Sequence, residues 1–542
     1  MTVKTISSYT DEWKGLPWKQ FQKNLFRLQH RIYKAAKTND VGTIKRLQTL
    51  LVGSKCAKYL AVRQVTQLNT GKRSAGVDGM SKLDPKQRML LAADLSQLNN
   101  WKHDKLRRIY IPKDDGSKRP LGIPTIRDRA MQCLIKYALE PVYEASVSDG
   151  DLGFRPGHST WDVQKCMFYN LNSSANGYRK TIVEIDISKC FDNINHDKLM
   201  SLVILPRGIK NVLRSALKAG VLTEKEKTLS GTQTQTQTQT QTQTPQGGVI
   251  SPLLANIALH GVEDLQNEKV TSTKSMQRGF RYADDMVFIL KEGENPTELL
   301  NKISEFLKER GLNVNETKSQ TVPATKGFNF LGWRFLVKPS NNKFVCFPSS
   351  KNHNAMKEKV KNTVKDTRYP LKDRLKMVKT IYHGWFNYHR YCDMSQVNLW
   401  SLHDWVYKYL KKSSKMPLNE IIESVRGIFT GHTQEANRFI AVKGNRSIYD
   451  NDWLFFFWAK RNNKRFTGPL LTTLRRQNYR CKSCNLLFST EERIELHHED
   501  GNNNNNKWAN LAALHRSCHQ CEPIHGRKKQ AKGLSLNKSG AV

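Results

Sequence analysis

The sequence predicts a multidomain chain in which an α/β unit is flanked by helical units, with a small separate module near the C-terminus. Three observations predict it. Strand-length apolar runs interleave with helical stretches between residues 106 and 337. Apolar residues at helical spacing, set among many cations, run through 18–70 and return through 350–475. Two CxxC pairs, Cys481/Cys484 and Cys518/Cys521, close off a tail with little apolar content. A chain of 542 residues accommodates about three to four domains at ~150 residues each.

The elements follow in order. Residues 18–70 predict two or three amphipathic helices. A Gly-rich loop, NTGKRSAGVDGM, comes next. LRRIYIP (106–112) predicts a strand, Asp114–Asp115–Gly116 a turn, and Lys118–Arg119–Pro120 the return. Helical spacing resumes over Asp128–Tyr143. TIVEIDI (181–187) is a β-branched strand. GFRYADDMVFIL (279–290) predicts two short strands folded about Ala283–Asp284–Asp285. A helix over 297–310 and strands over 312–322 and 328–337 complete a mixed sheet with covering helices. Residues 350–475 carry aromatic clusters at 384–391 and 453–458, read first as core and second as surfaces on which bases could stack.

Composition narrows the class. Hydrophobic content of 38% suffices for real cores. Lys and Arg number 88 against 48 Asp and Glu, a net charge of +40 that points to a polyanion. No apolar run reaches the ~20 residues of a spanning helix, and the N-terminus MTVKTISSYTDEW lacks the apolar core of a secretion signal. Nucleic acid is therefore the expected partner, with no membrane, and the expected compartment is an interior one. Six of the ten cysteines, including Cys346 and Cys392, are scattered singly and read as small apolar residues.

Asp186 ends one strand, and Asp284 and Asp285 sit at a hairpin tip between two apolar runs. Two-metal phosphoryl transfer needs carboxylates that hold two divalent cations about 3.5–4 Å apart. One ion activates a 3′ hydroxyl and the other stabilises pyrophosphate. Hard oxygen ligands suit Mg²⁺.

On these residues the chain resembles group II intron-encoded reverse transcriptases and maturases. YADD (282–285) is similar to that family's metal-binding hairpin. GVDGM (76–80), RRIYIPKDDGSKRPLGIP (107–124), EPVYEASVSDGDLGFRPGHST (141–160), VEIDISKCFDNI (183–194), PQGGVISPLLANIAL (245–259) and GFNFLGWRF (327–335) follow in the family's order. The resemblance implies right-hand polymerase fingers and a palm with a mixed sheet, then a helical thumb or X domain and a basic DNA-binding region. It implies Asp186, Asp284 and Asp285 as Mg²⁺ ligands and catalytic residues. Lys113 and Arg119 would bind the triphosphate, Phe191 would be the steric gate against a ribose 2′ hydroxyl, and Gln246 would touch the incoming nucleotide. Phe330, Leu331 and Gly332 would form the primer grip. It also implies a splicing role, in which the basic surface favours the catalytic fold of the host intron RNA.

The tail, residues 481–526, resembles the HNH nucleases, a small zinc-stapled ββα-metal family. His498 would be the base, His497 and His519 would bind the catalytic divalent metal, and Asn510 would order the intervening loop. Position 523 is Pro, so the nearest third metal histidine is His525. Cys481, Cys484 and Cys518 would bind a structural Zn²⁺. The fourth ligand is His515 by resemblance or Cys521 by spacing.

The expected activities are thus RNA-directed DNA polymerase, splicing maturase and DNA endonuclease supporting intron mobility. The alternative is a splicing-only RNA-binding maturase with an inactive nuclease. Expected partners are group II intron RNA, target double-stranded DNA and dNTPs. The expected location is the cytoplasm or nucleoid of a bacterium, or the interior of an organelle. The expected units are an N-terminal helical extension (1–80), fingers and palm (81–340), thumb (341–412), the basic region (413–475), the nuclease module (476–530) and a basic tail (531–542). A Thr-Gln tract (232–244) interrupts the family's SGTPQGG pattern just before Gln246, and reads as an insertion tolerated at a surface turn.

Overall fold

The computed structural model describes residues 12–13, 15–112, 116, 118–222, 247–266, 277–430, 439–442, 446–450, 466, 468–483, 485, 488, 494–502 and 504–519. The Thr-Gln tract, the cluster at 453–458, Lys113, Gln246, Cys484, Cys521, His525 and the tail 531–542 lie outside the described residues.

Helices α1 (Trp18–Lys37), α2 (Val41–Gly53), α3 (Lys55–Arg63) and α4 (Pro85–Asp94) form the N-terminal unit. Their ends are chemically marked. Asp40 caps α2 by accepting from the Thr43 amide, and Asp84 and Gln87 make a reciprocal capping box ahead of Pro85. These helices pack on α5 (Ile126–Ser146), which is buried on nearly every face. Polar side chains fix the packing: Gln29 donates to the Tyr137 carbonyl at 3.1 Å, and Gln48 donates to those of Ala138 and Ile204 at 3.2 and 2.9 Å.

Strands β1 (Leu106–Pro112) and β2 (Lys118–Ile123) make the fingers hairpin, with β4 (Val221–Leu222) parallel to β1. The palm is a four-stranded sheet in the order β5 (Gly279–Tyr282), β6 (Asp285–Leu290), β3 (Thr181–Ile185), β7 (Gln320–Pro323). Both its faces are covered. Val183, Ile185, Met286 and Phe288 point into the core shared with the N-terminal helices, while Ile182, Val287 and Ile289 point into a second core. Burial on both sides explains why these strands read as continuous apolar runs rather than alternating ones. On the palm lie α6 (Thr160–Leu171), a single turn α7 (Cys190–Asn193), α8 (His196–Leu202), α9 (Arg207–Leu217), α10 (Ser251–Leu259) and α11 (Pro296–Lys308).

The stretch expected as a strand over 328–337 is a hairpin, β8 (Phe328–Phe330) and β9 (Trp333–Val337), extended by β10 (Phe344–Pro348). Leu331 and Gly332, at φ 51 and φ 80, form its two-residue turn, and positive φ at both positions is the type I′ form of such a turn. The strand expected from 312 begins only at 320, because the residues before it wrap around Asp186.

The thumb comprises α12 (Ser350–Lys365), α13 (Leu371–His389), α14 (Trp400–Ser413) and α15 (Leu418–Phe429). Each turns a row of residues four apart inward: Met356/Val360/Val364, Val378/Tyr382/Phe386, Leu402/Val406/Leu410 and Ile421/Val425/Phe429. That spacing is one face of a helix. The boundary expected at 412 therefore falls inside one packed bundle. The aromatic cluster at 384–391 is mostly internal, with Phe386 and Tyr391 buried. Beyond the thumb, Phe439 packs on Trp161 and Tyr391. Tyr449 then reaches the N-terminal unit, where its carbonyl lies 2.6 Å from His30 Nδ1.

The last module carries α16 (Gly468–Arg476), an antiparallel pair β11 (Ile494–His498) and β12 (Leu511–His515), and a short α17 (Arg516–His519). Among the described residues no helix is long and apolar enough to cross a membrane.

Candidate active sites

The register of the palm sheet assembles the first site. Tyr282 pairs with Asp285, which leaves Ala283 and Asp284 as a two-residue turn. Ile185 pairs with Met286, so Asp186, one residue beyond β3, comes level with Asp285. Burial and then the charges of Asp284 and Asp186 push the Asp285 carboxyl up to about 6, although it opens on the cleft. Burial, with Asp186 beside it, also raises Asp284. Carboxylates that repel one another in a partly buried cleft fit a divalent cation, whose charge would relieve the repulsion. Arg119 on β2 favours the ionised form of both, and Lys318 that of Asp285.

Asp186 is held in place by residues that motif spacing did not single out. Asn315 Nδ2 donates to Asp186 Oδ2 at 2.8 Å, the Asn315 amide donates to the Asp186 carbonyl at 2.8 Å, and the Asp186 amide donates to Ser319 Oγ at 3.2 Å. Lys318 Nζ lies 3.9 Å from the same carboxylate. The available signal was the polar run NETKS after a helix, in a stretch read as strand.

Phe191 follows Lys189, which sits in left-handed backbone at φ 46, and lies on α7 half-buried against the larger core. The expected primer-grip residues occupy the β8–β9 turn. Tyr388 Oη donates to the Leu331 carbonyl at 2.8 Å, and the Ser349 amide donates to the Gly332 carbonyl at 3.0 Å. A side chain at Gly332 would meet Asn352 Nδ2 at 2.9 Å. Asn352 Oδ1 accepts from Trp385 Nε1 at 2.7 Å and lies 2.9 Å from His389 Nε2.

The C-terminal module gathers two further sets. Cys481, His515 and Cys518 place their ligand atoms within 4.8 Å of one another, all buried. Trigonal convergence of two thiols and an imidazole fits Zn²⁺. Of the two alternatives for a further ligand, His515 lies with Cys481 and Cys518, and Cys521 is outside the described residues. In the second set, His519 Nε2 is 3.0 Å from His497 Nδ1, and His519 Nδ1 is 2.7 Å from Glu495 Oε2. The set lies where β11 meets α17. A histidine pair with a carboxylate behind one ring is a common metal-holding arrangement. Glu495 was not singled out in the sequence. The neighbouring His498 has its Nε2 3.2 Å from Asn506 Oδ1. Asn510 donates to Asp500 Oδ1 and to the Asn505 carbonyl, both at 2.8 Å, and ties the loop between the strands.

A palm sheet with three converging carboxylates, a fingers hairpin over it and a helical thumb beside it define the class: a reverse-transcriptase-type, right-hand polymerase fold. The comparisons agree. Residues 111–335 match the family described as reverse transcriptase (RNA-dependent DNA polymerase), 13–95 match the N-terminal domain of reverse transcriptase, and 353–415 match the group II intron maturase-specific domain. The chain is similar to Maturase-like protein 1 of Euglena gracilis, 32% identical over 386 residues, covering 70% of this chain and 78% of that one. It is similar to protein YkfC of Escherichia coli, 29% identical over 349 residues, covering 58% of this chain and 88% of that one. The group II intron-encoded protein LtrA of Lactococcus lactis is 38% identical over 164 residues, 29% of this chain and 24% of that protein. The chain belongs to the group II intron-encoded reverse transcriptase and maturase family, and carries both the RNA-directed DNA polymerase domain and the maturase domain.

Proposed function

We propose that this protein copies RNA into DNA at the palm site, assists splicing of its host group II intron, and cuts target DNA with its C-terminal module so that the intron can insert. The observation that carries the first part is the convergence of Asp186, Asp284 and Asp285 at the hairpin tip. These three would hold Mg²⁺, which supplies charge stabilisation for nucleotidyl transfer. Asn315 fixes one Asp186 oxygen and leaves the other for a ligand. Lys113 and Arg119 would grip the triphosphate of the incoming dNTP, with Gln246 beside it. Phe191 would exclude a 2′ hydroxyl. Phe330, Leu331 and Gly332 would seat the primer strand.

In the C-terminal module, Cys481, Cys484, His515 and Cys518 would hold Zn²⁺, a staple for a unit with a small core. His497 and His519 would hold the divalent ion for DNA cleavage, with Glu495 orienting the His519 ring. His498 would take the proton from the attacking water. The +40 charge suits a ribonucleoprotein gripping phosphate on intron RNA and target DNA. The compartment would be that of its intron, in a bacterial cytoplasm or an organelle. Primer extension on an RNA template with Mg²⁺ tests the first activity; a protein that binds the RNA yet adds no deoxynucleotides would be the splicing-only alternative.

A further inference from the structure

Buried beneath the hairpin lies an ionic network that makes no direct contact with the reacting groups in the account above. Arg281 immediately precedes Tyr282 and its side chain is fully buried. Its Nη2 lies 2.6 Å from Asp151 Oδ2 and its Nε 3.4 Å from Glu263 Oε2, and both carboxylates are fully buried too. Nη1 donates to Asn256 Oδ1 at 2.9 Å and to the Ala283 carbonyl at 3.3 Å, while Nη2 donates to Tyr143 Oη at 3.3 Å. One guanidinium therefore joins five partners from five segments. A cation inside the apolar run GFRYADDMVFIL is the one trace of this in the sequence.

The network reaches the hairpin tip by two routes. The first is direct, through the Ala283 carbonyl. Ala283 sits at φ 62, in the left-handed region that costs a residue with a Cβ. The second runs through Asn256, whose Nδ2 donates to the Gly153 carbonyl at 2.7 Å. Gly153 presses on the tip so closely that a Cβ there would lie 2.2 Å from the Ala283 nitrogen. The backbone of this loop is itself bonded to Arg281: the Arg281 amide donates to the Gly150 carbonyl at 2.8 Å and the Leu152 amide to the Arg281 carbonyl at 2.9 Å. Arg155 braces the loop by a two-pronged pair with Glu144, both bonds at 3.0 Å.

We propose that Arg281 is a positioning residue for the polymerase metal site, holding Ala283 in its left-handed conformation so that Asp284 and Asp285 are aimed at a common ion. The inference rests on the reading of Asp186, Asp284 and Asp285 as that site. Arginine is suited to the task because its planar fork offers five donors in fixed directions. Lysine would keep the charge opposite Asp151 and Glu263 but could not reach Asp151, Asn256 and Ala283 together.

The test uses the full-length protein and Mn²⁺ as the probe, with binding read by electron paramagnetic resonance in the absence of nucleotide. Four proteins are compared: the parent, Arg281→Lys, Asn256→Ala and the double variant D284A/D285A. The parent should bind Mn²⁺ that D284A/D285A does not. Arg281→Lys and Asn256→Ala should each bind it at least fivefold more weakly while still folded at the assay temperature, with unfolding shifted to lower temperature because buried groups lose partners. The Mg²⁺ concentration for half-maximal primer extension should rise by a similar factor. Folded variants that bind Mn²⁺ like the parent would overturn the positioning role. If Arg281→Lys fails to fold, Asn256→Ala decides the matter, since it leaves every buried charge in place. If the parent and D284A/D285A bind Mn²⁺ alike, the three-aspartate site itself is wrong, and the inference falls with it.

Discussion

The Tyr388 hydroxyl donates a hydrogen bond of 2.8 Å to the Leu331 carbonyl, and this bond ties the last turn of a thumb helix to the turn that would seat the primer. Tyr388 also stacks on Trp333, with ring centroids 4.9 Å apart and planes 13° from parallel. Tyr388→Phe keeps the stack and removes the bond. A hydrogen bond of this kind contributes about 1 kcal/mol. The expected outcome is a rise of about fivefold in KM for primer–template, with kcat within about twofold. Steady-state primer extension checks it; an unchanged KM would separate the thumb bond from primer seating.

The raised Asp285 carboxyl gives a pH signature. Its folded value of about 6 lies above the ordinary carboxylate value, through burial and then the neighbouring Asp284 and Asp186 charges. Ionising it therefore costs the folded state stability. That cost is absent below about pH 4, grows as pH rises towards 6, and is fully present at pH 7. In EDTA, Asp285→Asn should raise Tm over the parent by roughly 2 °C at pH 7.5, and the gap should close as pH falls to 4. Mg²⁺ at pH 7.5 should raise Tm of the parent more than that of the variant. Thermal unfolding at the two pH values reads both; a gap that widens on acidification would contradict the assigned direction.

Phe191 stands on a single helical turn, half-buried against the core. Phe191→Val removes the ring while keeping an apolar contact. Discrimination between deoxyribonucleotides and ribonucleotides should fall at least tenfold, which corresponds to ~1.4 kcal/mol of barrier difference. Ratios of kcat/KM for dNTP and rNTP incorporation measure it, and an unchanged ratio would leave Phe191 a packing residue.

The C-terminal module should be separable. His498→Ala should lower cleavage of the second DNA strand by about a hundredfold or more, the scale of a general base, and leave primer extension intact. His515→Ala should lose the bound zinc, measured as metal per chain, because His515 lies with Cys481 and Cys518. Cys521→Ala should keep it. Zinc retained in His515→Ala would reassign the ligand set.

Local pattern carried much of this architecture. The apolar run at 106–112 is the fingers strand Leu106–Pro112, and the YADD turn lies between the two runs expected to flank it. Positions that depend on distant segments were not legible. Cys346 and Cys392, read as isolated, come to 3.7 Å between sulfurs because β10 meets the residues just after α13. Asn315 reaches Asp186 across 129 positions of chain. Arg281 finds Tyr143, Asp151, Asn256 and Glu263 only once four segments have packed. The split of 328–337 was signalled by Leu331–Gly332, but a two-residue turn inside an apolar run has no periodicity to mark it. Glu495 was passed over because its partner His519 lies 24 positions away in the chain.

The central claim is that Asp186, Asp284 and Asp285 form the site of DNA synthesis while other surfaces hold the intron RNA. Primer extension on an RNA template, run beside an intron-RNA binding assay on the parent and on D284A/D285A, tests it most directly. The account predicts deoxynucleotide addition by the parent, loss of at least a thousandfold in the double variant, and RNA affinity within about threefold of the parent, which is ~0.7 kcal/mol. Comparable primer extension by the two proteins, or loss of RNA binding together with synthesis, would contradict it.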